Sequence, residues 1–271
     1  MTSKAADFII SMEGVGSSGK TTQIGMLAES LRSGYRVTSH KIINRNLLEN
    51  ALKPLYSGER ETIWVASLPD VTVGADMLAW LALYMQRYSA IKAEVDEKPH
   101  IFLIERYIYT AFTHAAARAV LREIAKVMGD SSHAPGRLAE QIQKESVAKK
   151  VHFERLVAQY KNTGMKNAGN EIDALYKTFA GARNIVTWPN LVFVLDLPVE
   201  LIKPREVKRE NRAYTPGDVI YYSIVAELYR RVAKREKGRV YLIDGAAPPA
   251  EVAKKISAIV KRRCKMRAYK K

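Results

Sequence analysis

Short apolar runs along the chain alternate with longer stretches in which apolar residues recur at helical spacing. The runs that read as buried strands lie at residues 8–12, 35–43, 100–104, 191–197 and 239–243. Helical periodicity occupies the intervals at 21–31, 77–95, 108–128, 221–235 and 250–263. Strands that are apolar throughout and separated by helices indicate a parallel sheet, because helices then cover both of its faces. We therefore predict an α/β fold with a five-stranded parallel sheet.

Residues 129–187 interrupt this alternation. They contain two turn-rich segments and two stretches with helical spacing, in the order 129–137, 144–160, 162–170 and 171–179. We predict that 129–187 is a helical insertion, forming a lid or an interface element, within a single domain that spans residues 1–271.

The most specific motif follows the first strand. Residues 14–21 read GVGSSGKT and match G-x-x-x-x-G-K-[ST] in full, with a strand before and a helix after. In such a loop the backbone N–H groups point at phosphate oxygens, and the helix N-terminus adds its positive dipole end. Lys20 can reach the β- and γ-phosphates, and Thr21 can hold magnesium. The residues predicted to bind a nucleoside triphosphate are Gly14, Val15, Gly16, Ser17, Ser18, Gly19, Lys20, Thr21 and Thr22.

Around this loop the chain resembles the thymidylate kinase family of P-loop nucleoside monophosphate kinases. FIISMEGVGSSGKTTQ is similar to that family's first strand and phosphate loop, and IFLIERYIYTAF to its strand ending in Asp-Arg-Tyr. MQRY, LVFVLDLPVELIKPREVKREN and VYLIDGAAPPAEVAKKI resemble its arginine-bearing helix, its lid region and its final strand and helix. The resemblance implies a P-loop NTPase fold, ATP as donor with Mg²⁺, a monophosphate acceptor such as dTMP, and a homodimer formed through long helices.

The resemblance also assigns roles to side chains, and phosphate chemistry supports them. Lys20 and a magnesium ion held by Thr21 and Glu105 would serve the donor. The planar guanidinium of arginine suits bidentate contacts to an acceptor phosphate. The substrate-binding positions implied are Arg45, Leu83, Tyr84, Arg87, Arg106, Tyr107 and Thr110.

A transition-state arginine is expected outside the phosphate loop. In one subtype of the family that arginine lies in the loop, at the position where this chain has Ser17. A lid at 203–217 must then supply the positive charge that phosphoryl transfer requires. The catalytic residues expected are Lys20, Arg106 and one of Arg205, Arg209 and Arg212.

The chain diverges from the family at positions that contact the nucleoside. Gly16 stands where an acidic residue usually contacts the sugar, Leu83 where an aromatic ring stacks on the base, and Ala115 where a glutamine reads the base edge. The phosphate-binding positions are retained. The acceptor is therefore left open between dTMP and a related monophosphate.

Two other functions stay open. A kinase of a hydroxyl acceptor, such as a deoxynucleoside, needs a general base, and Glu105 would have to serve. A nucleotide-binding protein that also binds nucleic acid or a protein partner would use the charge: the net charge is +16, with a dense basic helix end at 254–271. We favour a solvated helix end for that segment over nucleic-acid binding.

Composition and hydropathy limit the kinds of structure and the cellular location that we expect. A single cysteine, Cys264, excludes an intramolecular disulfide. Apolar runs fall short of the roughly 18 residues that a membrane span needs. The N-terminus enters a strand directly, without the pattern of a signal peptide, which favours the cytoplasm.

Overall fold

A parallel sheet forms the centre of the protein. The computed structural model describes residues 8–32, 35–41, 100–184, 188–210 and 214–268. Its strands within these ranges are β1 (Phe8–Glu13), β2 (Arg36–Lys41), β3 (His100–Glu105), β4 (Leu191–Asp196) and β5 (Val240–Asp244). They lie in the order β2-β3-β1-β4-β5, and each pairing is parallel. β1 is therefore central, and its carboxyl end lies between those of β3 and β4.

Helices cover both faces of this sheet. In chain order they are α1 (Lys20–Leu31), α2 (Ile108–Met128), α3 (Pro135–Lys149), α4 (Phe153–Asn167), α5 (Gly169–Gly181), α6 (Val199–Glu210), α7 (Pro216–Arg235) and α8 (Pro249–Ala268). Alternate side chains of β1 serve opposite faces: Ile9 packs with α2 and α7, whereas Ile10 packs with α1 and α8. The predicted α/β class, parallel sheet and helices on both faces are confirmed.

The described part of 129–187, which extends to residue 184, contains α3, α4 and α5, and these helices pack on α2 and α7. The uninterrupted helical spacing at 144–160 was a wrong prediction. Lys150 adopts a left-handed φ of 53° and ends α3, while α4 begins at Phe153. Val147, counted in that apolar pattern, is 79% exposed. Within α3 the pattern therefore did not mark the buried face, which is formed by Leu138, Ala139 and Ile142.

Of the two segments predicted as turns, residues 129–134 are non-helical as expected and helix starts at Pro135, whereas 162–170 is largely helical. Pro135 occupies the first turn of α3, where proline is tolerated because its missing N–H would be unpaired anyway. Gly164 lies inside α4, where an added Cβ would sit 2.6 Å from Ile124 Cγ1 and 3.0 Å from the Val120 carbonyl oxygen. This glycine therefore lets α4 approach α2 closely, and it does not mark a turn.

The expected lid, 203–217, coincides with helix for much of its length. Residues 203–210 lie in α6, and α7 begins at Pro216, five residues before the predicted helix start at 221. A capping box explains the earlier start, since the Thr215 hydroxyl accepts from the Asp218 N–H and the Asp218 carboxylate accepts from the Thr215 N–H. The predicted helix at 77–95 lies outside the described residues. Within the described ranges, no helix has the length and hydropathy that crossing a bilayer requires.

Candidate functional site

The loop between β1 and α1 follows a path that requires glycine at both ends. Gly14 has a φ of 129°, and a Cβ there would lie 2.8 Å from the backbone oxygen of Leu195 in β4. Gly19, the N-cap of α1, has a φ of 97°. Between them Ser17 also has a left-handed φ, 51°, although it carries a side chain. The loop is thus tightly curled against the end of β4.

The beginning of α1 offers hydrogen-bond donors to the space above the loop. Among the described residues no side chain caps α1, and its first turn contains no acidic residue. The first N–H groups of a helix lack intrahelical partners, and they carry the positive end of the helix dipole. The Ser17 hydroxyl is buried and has no hydrogen-bond partner within the described part of the chain. The first N–H groups of α1 and the Ser17 hydroxyl could therefore donate hydrogen bonds to a bound anion.

Lys20 is folded over the loop. It is buried, and its ammonium donates to the carbonyl oxygens of Gly14 at 3.1 Å and Val15 at 2.6 Å and to the Ser18 hydroxyl at 3.3 Å. The next residue, Thr21, donates its hydroxyl to Glu105 Oε2 at 2.7 Å. A positive charge and a hydroxyl–carboxylate pair therefore lie side by side at the carboxyl ends of β1 and β3.

These groups line a cavity of about 430 Å³. The loop residues and Glu105 form one side of it, and small or apolar residues after β5 form another. Arg205 of α6 also lines the cavity, so one lid candidate is brought to the loop. Arg209 lies in α6 but its side chain is outside the described residues, as is the whole of Arg212.

The oxygen atoms of Thr21 and Glu105 fit a magnesium ion. Magnesium prefers oxygen ligands and commonly takes one or two from the protein and the rest from phosphates and water. Among the described residues there is no cluster of three or more His, Cys, Asp or Glu side chains able to hold a metal. A magnesium ion here would depend on phosphate oxygens for the rest of its coordination.

Glu13, the last residue of β1, is a site component that the sequence did not reveal. It is completely buried directly before the loop. Its Oε1 accepts from the Ser11 hydroxyl at 2.5 Å and from the Tyr107 N–H at 2.8 Å. Its Oε2 accepts from the Thr110 hydroxyl at 2.7 Å and the Tyr229 hydroxyl at 3.2 Å. The spacing of these five residues along the chain carries no signal that they meet.

Two of the predicted substrate-binding residues face this carboxylate. Both residues are buried; Tyr107 donates its backbone N–H to Glu13, and Thr110 donates its side-chain hydroxyl. Arg106, between β3 and α2, is partly exposed and lies near the cavity end of the sheet. Arg45, Leu83, Tyr84 and Arg87 lie outside the described residues.

His114 on α2 also lies near these cations, although its sequence context favoured a structural role. Its Nδ1 is 2.6 Å from the Tyr221 hydroxyl of α7. Burial, and then the charges of Arg106 and Lys20, lower the pKa of His114 to about 4. The imidazole is thus neutral beside two positive side chains.

Comparison with known proteins gives one similarity along nearly the full chain. No protein-family model matches the chain. The thymidylate kinase of Sulfurihydrogenibium sp. (strain YO3AOP1) is 25% identical over 262 residues, covering 94% of this chain and 98% of that protein. The similarity is therefore not confined to the loop after β1.

Proposed function

We propose that the protein is an ATP-dependent nucleoside monophosphate kinase of the P-loop class, similar to thymidylate kinases. The observation that carries the proposal is that one cavity is lined by Lys20, the Thr21–Glu105 pair and Arg205 at a helix N-terminus that no described side chain caps. The similarity to a curated thymidylate kinase supports the same reaction class. The acceptor we propose is dTMP or a related monophosphate.

In this proposal the loop holds the donor phosphates. The N–H groups at the start of α1 and the Ser17 hydroxyl donate to phosphate oxygens, and the Lys20 ammonium turns from the loop carbonyls to the β- and γ-phosphates. A magnesium ion at Thr21 and Glu105 would supply positive charge to the same oxygens. The chain's own groups position and neutralise the donor.

Arginines complete the site from two other directions. Arg106 approaches from the end of β3 and binds the acceptor phosphate, while Arg205 approaches from α6 and stabilises the charge on the transferred phosphoryl group. Residues 203–217 act as the lid that brings Arg205 over the donor. Phosphoryl transfer depends mostly on such positioning and charge, so loss of Arg205 should lower kcat on the order of 10³-fold.

A substrate panel tests this proposal. Purified protein with ATP and Mg²⁺ should release ADP on addition of at least one of dTMP, dUMP, UMP, dCMP and AMP. Lys20→Ala should lower that rate at least about 100-fold, because an interaction with the developing charge is lost. Lys126→Ala is the matched control, since Lys126 is exposed and pairs with Glu123 on α2. Absence of turnover with all five monophosphates would overturn the proposal.

The same panel tests transfer to a hydroxyl acceptor. That reaction needs a base near the acceptor, and Glu105 is the carboxylate in the cavity. Its Oε2 accepts from Thr21, which favours a magnesium-binding role over a basic one. Turnover with a deoxynucleoside and with none of the monophosphates would favour the hydroxyl kinase.

A second candidate function rests on the outer face of α8. Lys254, Lys255, Lys261 and Arg262 are exposed there and, within the described ranges, form no ion pair. Such a face could bind nucleic-acid phosphates. Fluorescence anisotropy with a labelled single-stranded oligonucleotide should then show salt-dependent binding that Lys20→Ala preserves and reversal of the four charges to Glu abolishes. No binding at low salt would exclude this function.

A further inference from the structure

Arg106 has an unusual backbone conformation for an arginine. Its φ is 57°, in the left-handed region that residues with a Cβ rarely adopt. Strained backbone of this kind persists only where surrounding structure enforces it, and it concentrates at functional sites. Something next to Arg106 must therefore hold it in place.

The end of β1 supplies that restraint through two successive N–H groups. The Arg106 N–H donates to the Met12 carbonyl oxygen at 3.0 Å. The following N–H, of Tyr107, donates to Glu13 Oε1 at 2.8 Å. Arg106 is thus fixed from both sides by consecutive residues of β1, and one of the two acceptors is a side chain.

The carboxylate that provides this acceptor is itself held firmly. Ser11, Thr110 and Tyr229 donate to it from β1, α2 and α7. Burial raises the pKa of Glu13, and these hydrogen bonds act in the opposite direction. Within the described residues Glu13 forms no ion pair. A buried carboxylate with four neutral donors and no counter-ion costs more stability than one with a cation.

We propose that Glu13 is a positioning residue, which fixes the backbone at Arg106–Tyr107 so that the Arg106 guanidinium meets the acceptor phosphate. This inference rests on the proposed kinase function. Glu13 does not touch the substrate, and it acts through Arg106. A misplacement of about 1 Å in a positioning group can cost roughly 100-fold in rate.

Glu13→Gln keeps the shape of the side chain and replaces one carboxylate oxygen, an acceptor, with an amide donor. We expect kcat to fall roughly 10- to 100-fold, with KM for ATP changed less than about twofold, since the donor contacts are untouched. Ser11→Ala is the matched control, because Ser11 donates to the same oxygen but lies on β1 and not beside Arg106. It should leave kcat within about threefold of the wild-type value.

A double-mutant cycle separates positioning from general damage to the fold. In an Arg106→Ala background, Glu13→Gln should lower kcat further by less than about twofold. Glu13 acts through the Arg106 guanidinium, and this variant lacks it. Effects that multiply in the double variant would overturn the proposal. If Glu13→Gln fails to fold, Glu13→Asp takes its place in the cycle, since the shorter side chain withdraws the acceptor from the Tyr107 N–H.

A crystal structure of Glu13→Gln provides a readout that does not depend on turnover. We expect Arg106 to leave the left-handed region or to show disorder. An unchanged φ near the wild-type 57° would contradict the proposal. If the wild-type protein phosphorylates none of the five monophosphates, the kinase proposal fails while this structure still decides whether Glu13 sets the Arg106 backbone.

Discussion

Glu13 and Glu236 are both buried glutamates on the α2/α7 side of the sheet, but their surroundings differ. Glu236, just after α7, accepts from the Tyr109 hydroxyl at 2.8 Å and the Tyr176 hydroxyl at 3.0 Å, and it pairs with Arg183 at 2.6 Å. Glu13 has hydrogen-bond donors and, within the described residues, no such cation. The region around Glu236 thus pairs its carboxylate with a cation, whereas the region around Glu13 holds its carboxylate with neutral donors.

The difference indicates what each region is for. The Glu236 cluster ties α2, α5 and α7 together, and Arg183 also stacks on the Trp188 ring with its guanidinium 5.0 Å from the centroid. Because the Glu236 carboxylate is paired with Arg183, this cluster can hold the helices together without a bound ion or ligand. The Glu13 cluster instead ends at the strained Arg106 and at the loop that we propose binds phosphate.

The largest expected effect comes from breaking the Glu236 cluster. Glu236→Ala leaves Arg183 and two tyrosine hydroxyls without their acceptor, and it should lower the free energy of unfolding by about 3 kcal/mol. The kcat of the folded protein should stay unchanged. Guanidinium denaturation and steady-state kinetics measure the two quantities. Asp173→Asn is the control, since its pair with Arg235 is exposed and should matter little. A loss of kcat without a loss of stability would contradict the comparison.

The next effect is a loss of folding stability at acid pH. We expect it from His114, on the Glu13 side of the comparison, and not from the Glu236 cluster. An unfolded histidine titrates at about 6.5, and burial with the Arg106 and Lys20 charges lowers the pKa of His114 to about 4. Between these values the unfolded chain binds more protons, so stability is present above about pH 6.5 and is lost as the pH falls.

The free energy of unfolding should therefore fall by about 2 kcal/mol, through His114, between about pH 7.5 and about pH 5. His114→Asn should lack that loss, and the difference between the two proteins isolates His114 because Glu13 is common to both. Urea denaturation at both pH values, with NMR titration of the imidazole, measures it. An His114 pKa near 6.5 would refute this expectation.

A smaller effect tests how tightly α4 packs on α2, on the same side of the sheet as Glu236. Gly164→Ala would place a Cβ against Ile124 and the Val120 carbonyl, and should cost about 1.5 kcal/mol by overpacking. Gly25→Ala, on α1 beside the loop, meets nothing within 4 Å and should add up to about 1 kcal/mol through helix propensity. Thermal unfolding of both variants provides the comparison, and equal shifts of the same sign would contradict it.

The smallest effect is expected at Trp188. Its indole N–H donates to the Tyr109 hydroxyl at 3.0 Å, so Trp188→Phe removes one hydrogen bond and weakens the stacking with Arg183. We expect a loss of about 1 kcal/mol in the free energy of unfolding. Chemical denaturation followed by far-UV circular dichroism measures it, and an unchanged midpoint would show that the cluster does not depend on this donor.

The sequence predicted much of the fold because the relevant signals are local. Buried strands such as β1 and β3 are mostly apolar, and the loop after β1 depends on residues that follow one another. The errors arose where tertiary packing decides the structure. Gly164 read as a turn because glycine usually marks one, while here it makes room for α2. The left-handed conformation of Lys150 could not be predicted, because lysine is not a residue type that favours that region.

The site was predicted in part for the same reason. Lys20, Thr21 and Glu105 could be named because they follow strands whose carboxyl ends meet at one edge of the sheet. Glu13 could not, because its partners come from β1, α2 and α7, up to 216 positions away. A buried carboxylate at a strand end gives no periodic signal, and its role depends on which hydroxyls the fold brings to it.

The left-handed Arg106 bears on the stability of the fold. An arginine in that conformation is about 1 kcal/mol or more less favourable than glycine would be. Glycine would relieve that strain, but it would also remove the guanidinium. The strain at Arg106 is therefore a loss of stability that comes with placing a cation at the end of β3, where the proposed kinase uses one.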